Sequence, residues 1–200
     1  MTFRIEEKIS IVDLNIFEFK KWLFANKAEI LHPTRIVNSI YFDNKLKMFS
    51  DSNEGIVPRK KIRIRTYNTK NFFSKKNKYS KETKITYYNY RYKNTENYSL
   101  NSTPRLTSLY DQDYGLCSPN LNVFYKRSYF KVFNTRITFD EEINYSLIKN
   151  NKLSNFLTRD KASVIEIKSP EINNTDFLKQ ILNMPRTRFS KYCRGIEHCL

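Results

Sequence analysis

Lys61, Arg63 and Arg65 alternate with Ile62 and Ile64 in the segment KKIRIRTY, residues 60–67. On a strand the three cations share one face at a spacing of about 7 Å. At an effective dielectric of about 20, each neighbouring pair repels by roughly 2 kcal/mol. Either water screens such a face or an anion sits on it. The alternation recurs along the chain. Arg4, Glu6, Lys8 and Ser10 oppose Phe3, Ile5, Ile9 and Ile11; Arg59 extends the row of Lys61, Arg63 and Arg65. Ser80, Glu82, Lys84 and Thr86 share a parity, as do Asn134, Arg136, Thr138 and Asp140. Glu166 and Lys168 oppose Ile165 and Ile167, and Val123, Tyr125, Arg127 and Tyr129 form a mixed face. One wet face is ordinary in an antiparallel sheet. These faces, however, are rich in arginine, with isolated glutamates between the cations. Arginine forks grip phosphate oxygens in pairs, and lysine acts as a point charge. Lone glutamates in so basic a setting suit a divalent cation that itself bridges phosphates.

The elements that must position these residues are mostly strands. Alternation predicts them near 3–11, 35–43, 58–67, 78–90, 121–132, 133–142 and 162–169. Asp13 is the expected N-cap of a helix over LNIFEFKKWLFANK, with Leu14, Phe17, Trp22 and Phe24 as its apolar stripe. A second helix is expected over 174–184, opened by Thr175 or Asp176 and closed by Pro185, with short ones near 44–51 and 190–198. The stretches 68–80, 91–104 and 146–155 read as a hairpin loop and two surface connections. The predicted class is α+β: an antiparallel β-barrel with flanking helices. Five or six such strands tend to curl or close. Closure with the polar side inward would make a basic tunnel.

The totals agree with an anionic partner. The chain of 200 residues has 36 Lys plus Arg against 20 Asp plus Glu, a formal charge of +16. Its size and 40% hydrophobic content suit one domain over 1–200. Three glycines leave no P-loop and no GxGxxG. Cys117, Cys193 and Cys199 lack CxxC spacing, so neither a disulfide scaffold nor a zinc site is expected. His32 and His198 are expected outside the strands, so no triad is assigned. The start MTFRIEEKIS has no apolar signal region, and no apolar run approaches a membrane span. The expectation is a cytoplasmic protein without membrane insertion. Nucleic acid is disfavoured, because no RNP, KH or zinc pattern accompanies the charge.

FRIEEKI, NSIYFDN, RKKIRIRTY, KETKI, VFYKRSYF, TRITFDEEI, VIEIKS and RFSKYCRGI occur in this order. Together they resemble the polyphosphate polymerase domain of the vacuolar transporter chaperone (VTC) group, within the triphosphate tunnel, CYTH-like superfamily. The resemblance implies a tunnel that binds triphosphate with Mn²⁺ or Mg²⁺. It implies phosphate contacts from Lys8, Arg63, Arg65, Lys84, Arg127, Arg136 and Lys191, and hydrogen bonds from Tyr125 and Ser190. It also implies a basic role for Arg188 and a metal on Glu166, with Glu6 and Glu82 as lesser ligands. Arg4, Lys61 and Lys168 join the substrate-binding candidates through their faces. The hydrolases of the superfamily carry ExExK in the first strand, where this chain has Arg4-x-Glu6-x-Lys8. That departure favours transfer of the γ-phosphoryl of ATP to a polyphosphate chain. A metal-dependent triphosphatase, or a non-catalytic binder of polyphosphate or nucleic acid, are the alternatives. The expected partners are ATP, inorganic triphosphate or polyphosphate, and any coupling to transport would need other proteins.

Overall fold

Side chains on a strand point alternately to its two faces, so each strand with period-two apolar residues must bury one face. The computed structural model describes residues 5–74, 76–88, 90–100, 106–150, 152–169 and 187–200. Arg4, the helix expected over 174–184, and the side chains of Asp13 and Leu14 lie outside the described residues. The strands are β1 (Ile5–Ile11), β2 (Glu29–Asp43), β3 (Arg59–Tyr67), β4 (Tyr79–Tyr87), β5 (Tyr90–Tyr98), β6 (Leu109–Asp111), β7 (Gly115–Val132), β8 (Thr135–Lys149), β9 (Lys152–Leu153), β10 (Thr158–Arg159) and β11 (Ser163–Ser169). The helices are α1 (Asp13–Ala25), α2 (Lys47–Glu54) and α3 (Lys191–Cys199). The class is α+β, and every strand pair with a resolved register is antiparallel.

The chain divides into two compact units. The first holds residues 1–35, 125–143 and 160–189, and the second holds 36–124, 144–159 and 190–200. In the first, the strand order is β1-β11-β8-β7-β2. Its core is Ile9 and Ile11 of β1, Ile165 and Ile167 of β11, Ile137 and Phe139 of β8, and Val132, closed by Phe19, Trp22 and Leu23 of α1. In the second, the order is β8-β7-β2-β3-β4-β5, with β6 on β7 and β9 and β10 on β8. Its core gathers Ile40, Phe42, Ile62, Ile64, Met48, Phe72, Leu106 and Tyr114.

Several expectations are corrected. Val12, not Asp13, stands at the N-cap of α1, without a side-chain hydrogen bond. The buried face of α1 is Phe19, Trp22 and Leu23, the i, i+3, i+4 set, while Phe17 and Phe24 are exposed. Residues 91–98, part of the 91–104 stretch read as a connection, belong with Tyr90 to β5, paired with β4 along its whole length. From Tyr90 to Asn97 every residue is exposed, so this end strand carries no apolar period to read. β8 continues to Lys149 through part of a stretch also read as a connection. His32 lies within β2, its ring edge-on to Tyr129 at 5.4 Å. The three cysteines are free.

Candidate functional site

In the second unit, register turns the alternating cations into rows. Lys61, Lys84 and Lys93 lie side by side across β3, β4 and β5. One step along, Tyr41, Arg63, Glu82 and Thr95 are aligned; the next row is Ser39, Arg65, Ser80 and Asn97. Like charges directly opposite one another destabilise a sheet. One carboxylate offsets them. Glu82 is 4% exposed. Its Oε2 accepts from Arg63 Nε at 2.7 Å and lies 3.5 Å from Arg65 Nη1, while Oε1 accepts from Lys93 at 2.8 Å. Burial pushes the Glu82 carboxyl up, but Arg63, Arg65 and Lys93 outweigh it and hold the pKa at about 2.

Arg65 also donates to Ser39 Oγ at 3.0 Å, and Arg63 Nη1 donates to the Tyr41 hydroxyl at 2.8 Å. Lys61 donates to Ser190 Oγ at 2.8 Å. Ser190 is the N-cap of α3, its hydroxyl accepting from Cys193 N, so Lys191 opens the helix beside it. Two features seat α3. Tyr192 donates to Asp43 Oδ2 at 2.5 Å, and the same carboxylate accepts from the backbone of Asn44, Met48 and Phe49, ahead of and in α2. A Cβ at Gly195 would stand 2.5 Å from Leu121 Cδ2 and 2.7 Å from Tyr145 Cδ1, so only glycine lets the helix approach β7 and β8.

The first unit has its own polar face. Register aligns Glu6, Lys168 and Arg136, then Lys8, Glu166 and Thr138, then Ser10, Val164 and Asp140. Arg127 donates to Asp140 through Nε at 2.5 Å and Nη2 at 2.7 Å, and stacks on Tyr125. Arg127 Nη2 lies 3.9 Å from Glu166 Oε2, and Lys168 is 2.8 Å from Glu166 Oε1. Burial raises the Glu166 carboxyl, but Arg127, Lys8 and Lys168 hold it well below the usual carboxylate range. It is therefore ionised despite being buried. Lys8 lies 3.8 Å from Glu6 and donates to the carbonyl of Phe189 at 3.2 Å. Two more hydrogen bonds, Ser10 N to Thr187 Oγ1 and Thr187 N to Lys8 O, lay the 187–189 segment along β1. Arg188 on that segment is exposed. Arg136 stacks on Tyr129.

Among the described residues, no three His, Cys, Asp or Glu side chains gather as a metal cage. Mg²⁺-like ions need only one or two carboxylates when phosphates supply other ligands. Ionised Glu166, with Glu6 diagonal to it on β1, fits that donor set. Glu82 is already shared by three cations.

Asp140, Tyr41 and Lys93 were missed as site residues by sequence reasoning. Asp140 shares the parity of Arg136, which was a usable signal; Tyr41 and Lys93 become visible only through register.

The VTC domain model matches residues 3–200. The chain belongs to the VTC domain family. The match runs through both compact units. No curated protein matches by sequence. Among solved structures the chain is similar to HpAC1 of Hippeastrum, described as an adenylyl cyclase with a dominant triphosphatase activity, at 11% identity, TM-score 0.54, covering 99% of this chain and 97% of that one. It is similar to a protein of Vibrio parahaemolyticus described as an adenylate cyclase, at 14% identity and TM-score 0.51, covering 98% of each chain. A conserved hypothetical protein of Pyrococcus furiosus matches at 15% identity and TM-score 0.54, covering 96% of this chain and 99% of that one. The VTC domain thus shares its fold with these solved structures.

Proposed function

We propose that this VTC domain is a polyphosphate polymerase-like phosphotransferase, moving the γ-phosphoryl of ATP onto a polyphosphate chain. One observation carries the reading: across β3, β4 and β5, seven cations, Arg59, Lys61, Arg63, Arg65, Lys84, Arg91 and Lys93, share a sheet face with one carboxylate, Glu82. Phosphates are the anions that such a face suits, since each brings several oxygens and more than one charge.

Transfer passes through a loose transition state whose charge spreads over the phosphoryl oxygens, so positioning and neutralisation carry the rate. Lys8, Arg63, Arg65, Lys84, Arg127, Arg136 and Lys191 bind phosphate oxygens. Tyr125 and Ser190 add hydrogen bonds, and Lys61, Lys168, Arg188 and Arg4 add charge. Glu82 and Asp140 hold the guanidinium groups in place before substrate arrives. A polyphosphate end is already ionised near neutral pH, so no general base is required. Mn²⁺ or Mg²⁺ on Glu166, with Glu6 as a second carboxylate, would neutralise charge on the leaving diphosphate. The 1–200 chain acts as one tunnel domain in the cytoplasm, with ATP, inorganic triphosphate and polyphosphate as ligands.

A second reading, hydrolysis of a triphosphate on the same residues, is favoured by the activity described for HpAC1. Incubation with ATP and Mn²⁺, followed by sizing of products on a gel, separates the two. Lengthening chains support the polymerase; orthophosphate alone supports the hydrolase; no product from ATP or triphosphate refutes both. Glu166→Ala should abolish metal-dependent turnover and leave part of the anion binding.

A further inference from the structure

Arg63 is held from two sides. Its Nε and Nη2 face Glu82, and its Nη1 donates to the hydroxyl of Tyr41. Tyr41 is 5% exposed, and its ring stacks on Tyr192 with centroids 5.1 Å apart. The Tyr41 oxygen accepts from Arg63, yet among the described residues its own proton has no acceptor. A nearly buried hydroxyl proton without an acceptor costs free energy. The charges that act on it most are cationic. Arg63 and Arg65 come from β3, and Lys191 from α3; Tyr192, also on α3, gives its proton to Asp43. Glu82 on β4 is engaged by Arg63, Arg65 and Lys93. An arriving phosphate would supply the acceptor that the protein does not.

We propose that Tyr41 is a further phosphate-binding residue of this site, donating its phenolic proton to a phosphate oxygen held by Arg63 and Arg65. The proposal rests on the phosphate-binding reading of β3. It adds a proton linkage to that reading. Without ligand, burial raises the phenol, but Arg63 and Arg65 outweigh it and hold the pKa at about 8. The phenolate then competes with phosphate for the same guanidinium groups. Bound phosphate favours the protonated, donating form. Affinity is therefore full below about pH 8 and falls as pH rises through it, with one proton taken up per ligand bound.

The test is calorimetric binding of inorganic triphosphate to wild type and Tyr41→Phe across about pH 7 to about pH 9. The phenyl ring keeps the stack on Tyr192, so the variant should fold. Tyr192→Phe serves as a second variant that loses the Asp43 hydrogen bond while leaving the Tyr41 hydroxyl in place. Expected is a loss of about tenfold for Tyr41→Phe at the lower end of the range. That gap should close as pH rises, with tyrosinate absorbance suppressed by triphosphate only where Tyr41 is present. Tyr192→Phe should lower thermal stability and keep the wild-type pH profile. A Tyr41→Phe curve equal to wild type, or lower by one constant factor at every pH, overturns the proposal. Absence of triphosphate binding by wild type overturns the phosphate reading along with it.

Discussion

In the first unit Arg127 grips Asp140 through two hydrogen bonds; in the second, Glu82 is divided among Arg63, Arg65 and Lys93. The contrast extends across each face. The first sets Lys8, Arg127, Arg136 and Lys168 against Glu6, Asp140 and Glu166. The second sets seven cations on β3, β4 and β5 against Glu82. A balanced face can remain folded without a ligand and offers ionised oxygens to a metal. An unbalanced face gains from each anion it takes up. Similar residue types thus serve two purposes, and their proportions separate them.

Removing the carboxylates should break the comparison most visibly. Asp140 is 0% exposed, and Arg127, at 15% side-chain exposure, would lose both hydrogen bonds to it, with Glu166 3.9 Å away. Asp140→Ala should cost about 3–5 kcal/mol in denaturant unfolding. Glu82→Gln should cost about 3 kcal/mol, because the carboxyl is held down near a pKa of about 2 against the ordinary 4.5. That contribution is present above the ordinary value and is lost as pH falls through about 2. The two variants should then part company. Triphosphate should stabilise Glu82→Gln more than wild type, since Arg63 and Lys93 are 25% and 50% exposed and can be reached. It should not do so for Asp140→Ala. Equal rescue of both would erase the distinction between the units.

The arginines sharpen it next. Arg63→Ala should weaken triphosphate binding about tenfold or more, the cost of losing a charge-assisted hydrogen bond. Arg127→Ala should cost less in binding and more in turnover, because Arg127 lies beside the proposed metal carboxylate. Titration and single-turnover assays on the same preparations check this. The reverse ordering would transfer the anion-binding role to the first unit.

The two units also differed in how far they could be read in advance. Parity alone separated Glu6 and Lys8 from Ile9 and Ile11, and Glu166 from Ile165, since one side of each strand is apolar. The rows of the second unit could not be read this way. Eleven residues join β3 to β4, residues 68–78, and a loop that long does not fix register. Nothing in KETKI says that Glu82 faces Arg63 and not Lys61. β5 was missed altogether, because a strand exposed on both faces has no period. Lys93 went with it, and with Lys93 the third member of the lysine row. The helix α1 was found, but its stripe was misread: Phe17 and Phe24 are seven apart and share a face, which is the exposed one.

Lys84 offers the finest test. It stands between Lys61 and Lys93 across the strands, where like charges face each other on both sides. If the row exists to hold phosphate, Lys84→Ala relieves repulsion in the free protein and removes attraction in the bound one. The first effect should raise stability by a few tenths of a kcal/mol. The second should lower triphosphate affinity about threefold to fivefold at low salt, the scale of one partly exposed charge. Both effects are Coulombic and act over several ångströms of water, so both should shrink as salt shortens the screening length to about 3 Å near 1 M. The opposite signs are what matter. A mere solvated surface would show the stability gain without the affinity loss, whereas a lysine used only for packing would lose stability at every salt concentration.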